Sequence, residues 1–509
     1  MDADTAELPP PRSLWVDTAP APDRRGRRLP PDADVVVVGA GIAGLTTAYL
    51  LAAEGRSVLV LESGEVASGV SGHTTAKVSA QHALKYRYLE RRRGADDAAR
   101  YGRSQLGALD WIARTSAELG IDCGFRVLDS YVYTTDSAQL DELKAETDAA
   151  QRAGLPASFT TDVALDVPAV GAVRFTGQGQ FHPRQWLLGL AEHIERLGGR
   201  IVEDVRVTGV DEWPRPLVRT PRGSVRAGDV VIATHYPILD RGLFFARLDV
   251  VRDLVLAGPS SAGKPPPGMY LDARTHHSVR GHGEGEDAVT LAGGEHYRTG
   301  DRQDVQARYR RLARWAAEHA GLHRVTHRWS AHDMSTPDSV PYVGRYHPVA
   351  RRLWVATGFG QWGMTGGTAA GLLLRDAILG RENPAASLYD PNRLDPRSAP
   401  AVAKDNATVA RYLVGDHVRA LATRSAVDDL APGEATVTRI GTTMAAVYRA
   451  LDGETRTLSA RCTHLGCLVA FNNAERTWDC PCHGSRFALD GTVVQGPAVR
   501  PLRRLDGEH

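Results

Sequence analysis

Cys462-Thr-His464-Leu-Gly-Cys467 and, shortly after it, Cys480-Pro-Cys482-His483-Gly-Ser485 each place two cysteines and a histidine in one short loop near the end of a 509-residue chain. Four of the five cysteines sit in these two loops, so thiol chemistry is concentrated in one place. Two thiolates on one iron and two imidazoles on the other hold a 2Fe-2S cluster, and the neutral nitrogen ligands raise its potential. Cys462 with His464, and Cys480 with His483, supply that set. Cys467 and Cys482 remain, each close to a ligand, where a disulfide could tie the loop tips if their geometry permits. Zinc is the rival occupant, because Cys and His pairs also build closed tetrahedral sites. Six potential donors followed by Gly-Ser suit the cluster better.

The other end of the chain carries a second redox signal. Asp34-Val-Val-Val-Val-Gly39-Ala-Gly41-Ile42-Ala43-Gly44 reads as a buried strand, a glycine turn and the start of a helix over 45–54, followed by a second strand over 57–61 and Glu62. In this dinucleotide fingerprint Gly39 permits the tight turn, Gly41 lets the backbone approach a pyrophosphate, and Gly44 lets helix and strand pack closely. Glu62 accepts hydrogen bonds from an adenosine ribose. Ser63 beside it, and Ser71 and Gly72 in the next loop, are further cofactor-binding candidates. The pattern alone does not separate FAD from NAD.

Resemblance to known families sharpens both readings. Through CTHLGC, CPCHGS and Gly496-Pro-Ala498, residues from about 430 to the end resemble the Rieske ferredoxin-like domain in its subtype with an extra cysteine pair. In relatives the serine after His-Gly and a tyrosine two positions later donate hydrogen bonds to the cluster. Here Ser485 is present but Phe487 takes the tyrosine place, which implies a potential on the order of 0 to +200 mV, inside the broad range of such centres. Gly198 to Val207, Asp229 to Thr234, and Leu353 to Thr365 look like the flavin-binding core of the D-amino-acid oxidase and sarcosine oxidase superfamily, spanning about residues 33–395. That resemblance places Val207 beside adenine. It also places Gly358, Gly363, Met364 and Thr365 in a glycine-rich turn opening a helix toward the flavin, where free N–H groups favour negative charge on the reduced ring. With SGHTTAKVSAQH at Ser71 to His82, the whole chain is similar to bacterial FAD-dependent oxidoreductases that end in a Rieske domain.

Three residues are candidates for chemistry. His73 occupies the place in its loop where dimethylglycine and sarcosine dehydrogenases attach FAD covalently, but the tryptophan that precedes that histidine is absent, which favours a noncovalent role or loop packing. Lys77 either contacts the flavin and stabilises its reduced anion or is a solvated surface lysine. Arg280, in His277-Ser-Val-Arg280, is placed by the resemblance where relatives bind a substrate carboxylate, a match to the guanidinium fork; the alternative is a surface arginine. His319, His323 and His327 are spaced like a metal stripe, yet Gly321 interrupts the helix they need, so they read as structural. Cys123 reads as a small buried hydrophobe.

These signals require an α/β (α+β) architecture: a Rossmann-type FAD domain with an interleaved substrate domain, followed by a small all-β Rieske domain. The expected divisions are an irregular, proline-rich arm (1–32), a discontinuous FAD domain (33–85, 180–240 and 335–395), a substrate domain (86–179 and 241–334), a partly helical connector (396–430) and the Rieske unit (431–509). A formal charge of +1 suggests neither nucleic acid nor an anionic membrane as partner. No run of eighteen apolar residues and no signal-peptide pattern is present, so a cytoplasmic location is expected. The expected function is a dehydrogenase that oxidises a small amine or amino acid at FAD and passes electrons through the cluster to an external acceptor. The alternative is an electron-transfer module serving a separate enzyme. A single convincing glycine fingerprint argues against a two-dinucleotide reductase.

Overall fold

The structure, a computed structural model, describes residues 8–301, 304–400, 402–404, 406–407 and 427–505. The connector expected over 396–430 lies largely outside them. A mixed sheet with a parallel centre forms the flavin half. Its strands run in the order Tyr342–Arg345, Leu353–Thr357, Gly223–Ile232, Asp32–Val38, Val58–Leu61 and Arg200–Val202. Val35 to Val38 pair in register with Val58 to Leu61 on one side and with Asp229 to Ile232 on the other. Both faces of this sheet's centre are covered, so Val35 to Val38 and Val58 to Leu61 are continuous apolar runs. The helices Ile42–Ala53 and Gly363–Ile378 pack together against it. Gly367 and Gly371 permit that approach, since a Cβ at Gly367 would lie 2.6 Å from the Ile42 side chain.

A second, nine-stranded sheet is mainly antiparallel, running His327–Ser335, Asp249–Pro259, Val289–Arg298, Ser278–His282, Met269–Asp272, Arg126–Thr134, Gly171–Gln180 and Lys77–Val78, with Ala157–Thr160 paired beside Gly171–Gln180. It draws strands from both sides of the flavin segments. The C-terminal unit has a three-stranded sheet, Ala435–Ile440, Thr443–Arg449 and Thr455–Ser459, and a four-stranded one, Ala470–Asn472, Thr477–Asp479, Arg486–Phe487 and Val493–Gln495. The two cysteine loops project from this unit, and its small core includes Trp478, Phe487 and all four of its cysteines.

The N-terminal arm is more ordered than its prolines suggest. Ser13 caps a short helix, Leu14–Thr18, whose Trp15 is fully buried. Ser13 donates to Gly72 O, Trp15 Nε1 donates to Thr74 O (2.7 Å), and Arg12 N donates to Arg328 O. The arm thus straps the loop that carries His73 onto the body of the protein. A proline-rich segment has no periodicity to reveal this; tertiary contacts alone fix it. Replacing Trp15 by alanine should lower the unfolding free energy by about 3–5 kcal/mol, the scale for emptying a buried aromatic site; denaturant unfolding of the purified protein checks it.

Candidate flavin and iron–sulfur sites

A cavity of about 620 Å³ runs along the ends of the parallel strands. Gly39, Gly41, Ile42, Ala43, Glu62, Ser63, Ser71 and Val207 line one end, with His73, Lys77, Gly363 and Met364 farther along. Gly39 has φ +106°, and a Cβ there would lie 2.5 Å from Ala233 O. Glu62 is held in place by accepting from Ala40 N and Gly64 N, both at 2.8 Å. Ser71 Oγ accepts from Ile42 N at the start of the first helix. The later helix begins at Gly363 with no side-chain cap, and nothing lies within 4 Å of a Cβ built there. A glycine turn opening one helix, an uncapped N-terminus on another, an acid and an apolar residue along one cavity fit FAD: Gly39–Ala43 would hold the pyrophosphate, Glu62 the ribose and Val207 the adenine, with the Gly363 helix facing the ring.

Four cofactor candidates pack rather than line. Gly44 and Gly72 are closely covered by Gly39 O and Ala67 O. Gly358 sits against Thr336 with φ +76°. Thr365 turns inward, donating to Ser79 O. His73 keeps its Nδ1 2.9 Å from Gly69 O, and burial lowers its pKa. Lys77 Nζ donates to Tyr270 O, and burial, aided by Arg280, brings its pKa down to about 7.

Arg280 is not the surface arginine of the alternative reading. It is 1 % exposed and is not among the residues of the cavity wall; it donates to Ala76 O and Phe181 O, with its guanidinium 5.1 Å from the Trp15 ring. It thus fastens the loop carbonyl and the arm. His327 contacts Asp17 and His319 contacts Asp166 O, on separate elements. Cys123 is buried, which pushes its thiol up to about 11.

At the cysteine loops Cys467 and Cys482 are joined as a disulfide, which leaves Cys462 and Cys480 as buried free thiols. Their sulfurs are hydrogen-bonded to each other, which holds Cys462 down and pushes Cys480 up. The rings of His464 and His483 meet edge to face at 4.9 Å. His464 Nε2 is 2.9 Å from Asp240, while its buried Nδ1 has no partner. Burial, with His464 and Arg298 nearby, lowers His483 to about 3, so it is neutral as a metal ligand requires. Two contacting thiols, two neighbouring imidazoles and an orphaned nitrogen fit a 2Fe-2S cluster. Ser485 is fully buried and its hydroxyl contacts Cys462.

The two sites adjoin, and no local motif signals this. Glu475, Thr477, Arg486, Gln495 and Gly496 of the C-terminal unit form part of the flavin cavity wall. Arg252, also in that wall, donates to Gln495 Oε1 and lies 3.8 Å from Glu475. The cluster histidines face the flavin half, with Tyr236 and Phe245 rings 6.3 and 6.1 Å from His483. Pro11, Arg12, His235, Asp253, His332, Asp333 and Gln361 complete the wall; they come from segments remote in sequence, so spacing could not have gathered them.

This fold and pair of sites define a flavin oxidoreductase carrying a Rieske centre. The FAD dependent oxidoreductase (DAO) family model matches residues 34–377 and the Rieske [2Fe-2S] domain model matches 422–506, and the chain belongs to the FAD-dependent oxidoreductase family with a Rieske domain at its C-terminal end. It is 33% identical over 506 residues, 97% of this chain and 98% of the relative, to YhfW of Bacillus subtilis (strain 168), whose name is that of a Rieske 2Fe-2S iron-sulfur protein. Over 206 residues, 39% of this chain and 48% of the relative, it is 30% identical to gamma-glutamylputrescine oxidoreductase of Escherichia coli (strain K12). In fold it is similar to glycine oxidase from Geobacillus kaustophilus, at TM-score 0.61 and 20% identity, covering 72% of this chain and 100% of that one. FAD and a 2Fe-2S cluster are its cofactors. No helix among the described residues is long and apolar enough to cross a membrane.

Hydrogen bonds to the cluster set its potential. Ser485→Ala should lower the midpoint and Phe487→Tyr should raise it, each by on the order of 100 mV within the roughly 450 mV range of such centres; an EPR-monitored redox titration measures both.

Proposed function

We propose that this protein is a dehydrogenase that oxidises a small amine or amino acid at FAD, with electrons leaving through the Rieske cluster to an external acceptor. The observation that carries the reading is the shared wall: residues of the C-terminal unit complete the cavity whose other end is the dinucleotide fingerprint. FAD supplies a two-electron acceptor for the substrate C–H bond, and the cluster supplies a one-electron outlet. The chain's own residues bind, orient and exclude water. The Gly39–Ala43 turn and Glu62 hold the nucleotide end, and the strap at Trp15 fixes the His73 loop over the middle. His73 and Lys77 are our candidates for contact with the flavin; Lys77 is positioned to place positive charge beside the reduced ring below its pKa of about 7.

The charged groups of the wall favour an amine over an amino acid. Arg252 is occupied by Ser330 and Gln495, Arg206 by Val493 O, Arg486 by Asp479 and Glu475, and Arg12 by Asp17. Asp253 and Asp333 lie in the same wall, and Asp333, which burial pushes up to about 7, takes the Met334 N–H on one oxygen. Asp253 already faces His296 and accepts from Gln361 Nε2, and Asp333 accepts from the Met334 and Gln361 backbone N–H groups, so it is their remaining lone pairs that offer acceptors to a substrate N–H.

Two measurements test this. In anaerobic stopped-flow mixing with amines, amino acids and NAD(P)H, an amine should bleach the flavin, with cluster reduction following; reduction by NAD(P)H alone would replace this reading with that of an electron-transfer module. Lys77 carries its charge below pH 7 and loses it above. The flavin midpoint of the wild type should therefore fall more steeply as pH rises through 7. In Lys77→Met it should start lower at pH 6 and converge with the wild type above pH 8, as followed by spectroelectrochemical titration.

A further inference from the structure

His332 stands between the flavin cavity and one of the cluster-ligand loops. It lies on the strand His327–Ser335, is 2 % exposed, and lines the flavin cavity. Its Nδ1 is within hydrogen-bonding distance of Gln495 Nε2, from the last strand of the C-terminal unit. Its Nε2 is buried without a hydrogen-bond partner. That nitrogen presses on Gly484, the residue after the cluster ligand His483: a Cβ at Gly484 would come within 2.5 Å of it, and Gly484 holds φ +77°. The backbone at this point accommodates only glycine, and the space a side chain would fill is taken by the imidazole. His235, also in the cavity wall, packs its ring 5.2 Å from that of His332.

A buried polar atom left unpaired is costly, and an apolar side chain would fill this gap without that cost. The imidazole supplies continuous contact from the flavin cavity to the ligand loop, with no water layer between. We propose that His332 is the bridge through which electrons pass from the flavin to the cluster. The inference rests on the reading above that electrons flow between the two cofactors. One electron crosses from the reduced flavin and takes the cluster from the ferric–ferric to the ferric–ferrous state. The second crosses once an external one-electron acceptor has reoxidised the cluster. Over both steps the anionic reduced flavin loses two electrons and one proton, and the proton goes to solvent.

The test uses the full chain loaded with both cofactors, as wild type, His332→Leu and His332→Asn, without any organic substrate. A pulse of photochemically generated reductant is applied anaerobically, and flavin absorbance and the cluster EPR signal are followed as the cofactors equilibrate. In the wild type, electrons first held on the flavin should move to the cluster. In His332→Leu that internal phase should slow by roughly tenfold or more, equivalent to about 1.4 kcal/mol on its barrier, with both midpoint potentials and both cofactor contents unchanged. His332→Asn, which retains a polar group toward Gln495 but falls short of Gly484, should slow in the same way, and it decides the matter if the leucine variant does not hold both cofactors. An internal phase as fast as wild type in a loaded variant overturns the bridge while leaving internal transfer intact. No flavin-to-cluster transfer in the wild type would instead overturn the reading on which the bridge rests.

Discussion

Glu475 is a carboxylate in a place where no carboxylate could stand alone. Its side chain is 9 % exposed, and burial works against its charge, yet Arg486 and Arg252 outweigh that cost and hold it at about 2. Tyr309 donates to its other oxygen at 2.8 Å. Arg486 belongs to the C-terminal unit and also pairs with Asp479, whereas Arg252 and Tyr309 belong to the flavin and substrate half. A buried ion pair contributes little net stability but penalises any arrangement that separates its members. The bond therefore selects one docking of the C-terminal unit over others. That docking turns the cluster histidines inward and completes the flavin cavity.

Around this junction, the remaining constraints are steric. The nucleotide end depends on glycine at position 39, where a side chain would strike the neighbouring strand's carbonyl. The middle depends on an N-terminal strap whose single tryptophan is buried against the His73 loop and Arg280. Asp240 adds a polar contact from the flavin half to His464. A carboxylate accepting from a ligand imidazole orients the ring and raises its basicity. The flavin half thus shapes the iron site as much as the iron domain shapes the flavin cavity.

What could be read from sequence was whatever lies close together along the chain. The cluster loops and the first glycine turn are local, so residue type and spacing single out Cys462, His464, Cys480, His483, Gly39, Gly41 and Glu62 as candidates without a fold. The strand and helix limits there differ from the expected ones by a few residues, as end fraying allows. The burial of Arg280 was not legible because position in a pattern does not reveal what packs on a side chain; here Trp15, from a segment more than two hundred residues away, does so. Lys77 left two readings open because a two-residue edge strand is too short to show which way its side chains face. Asp253, His332 and Gln495 were illegible for a simpler reason: the first two are gathered by the pairing of strands remote in sequence and the third by the packing of the C-terminal unit, and each alone is an ordinary polar residue.

The cavity has a floor made early in the chain and a roof made late. Gly39 to Ala43 and Glu62 leave the ribosome first, whereas Glu475 to Gly496 follow several hundred residues afterwards. Because domains fold as units in N-to-C order during synthesis, the nucleotide can enter an open trough and then be enclosed. The roof is itself the unit that must acquire iron. The segment that carries the iron ligands thus also supplies the last-made part of the wall around the nucleotide cavity.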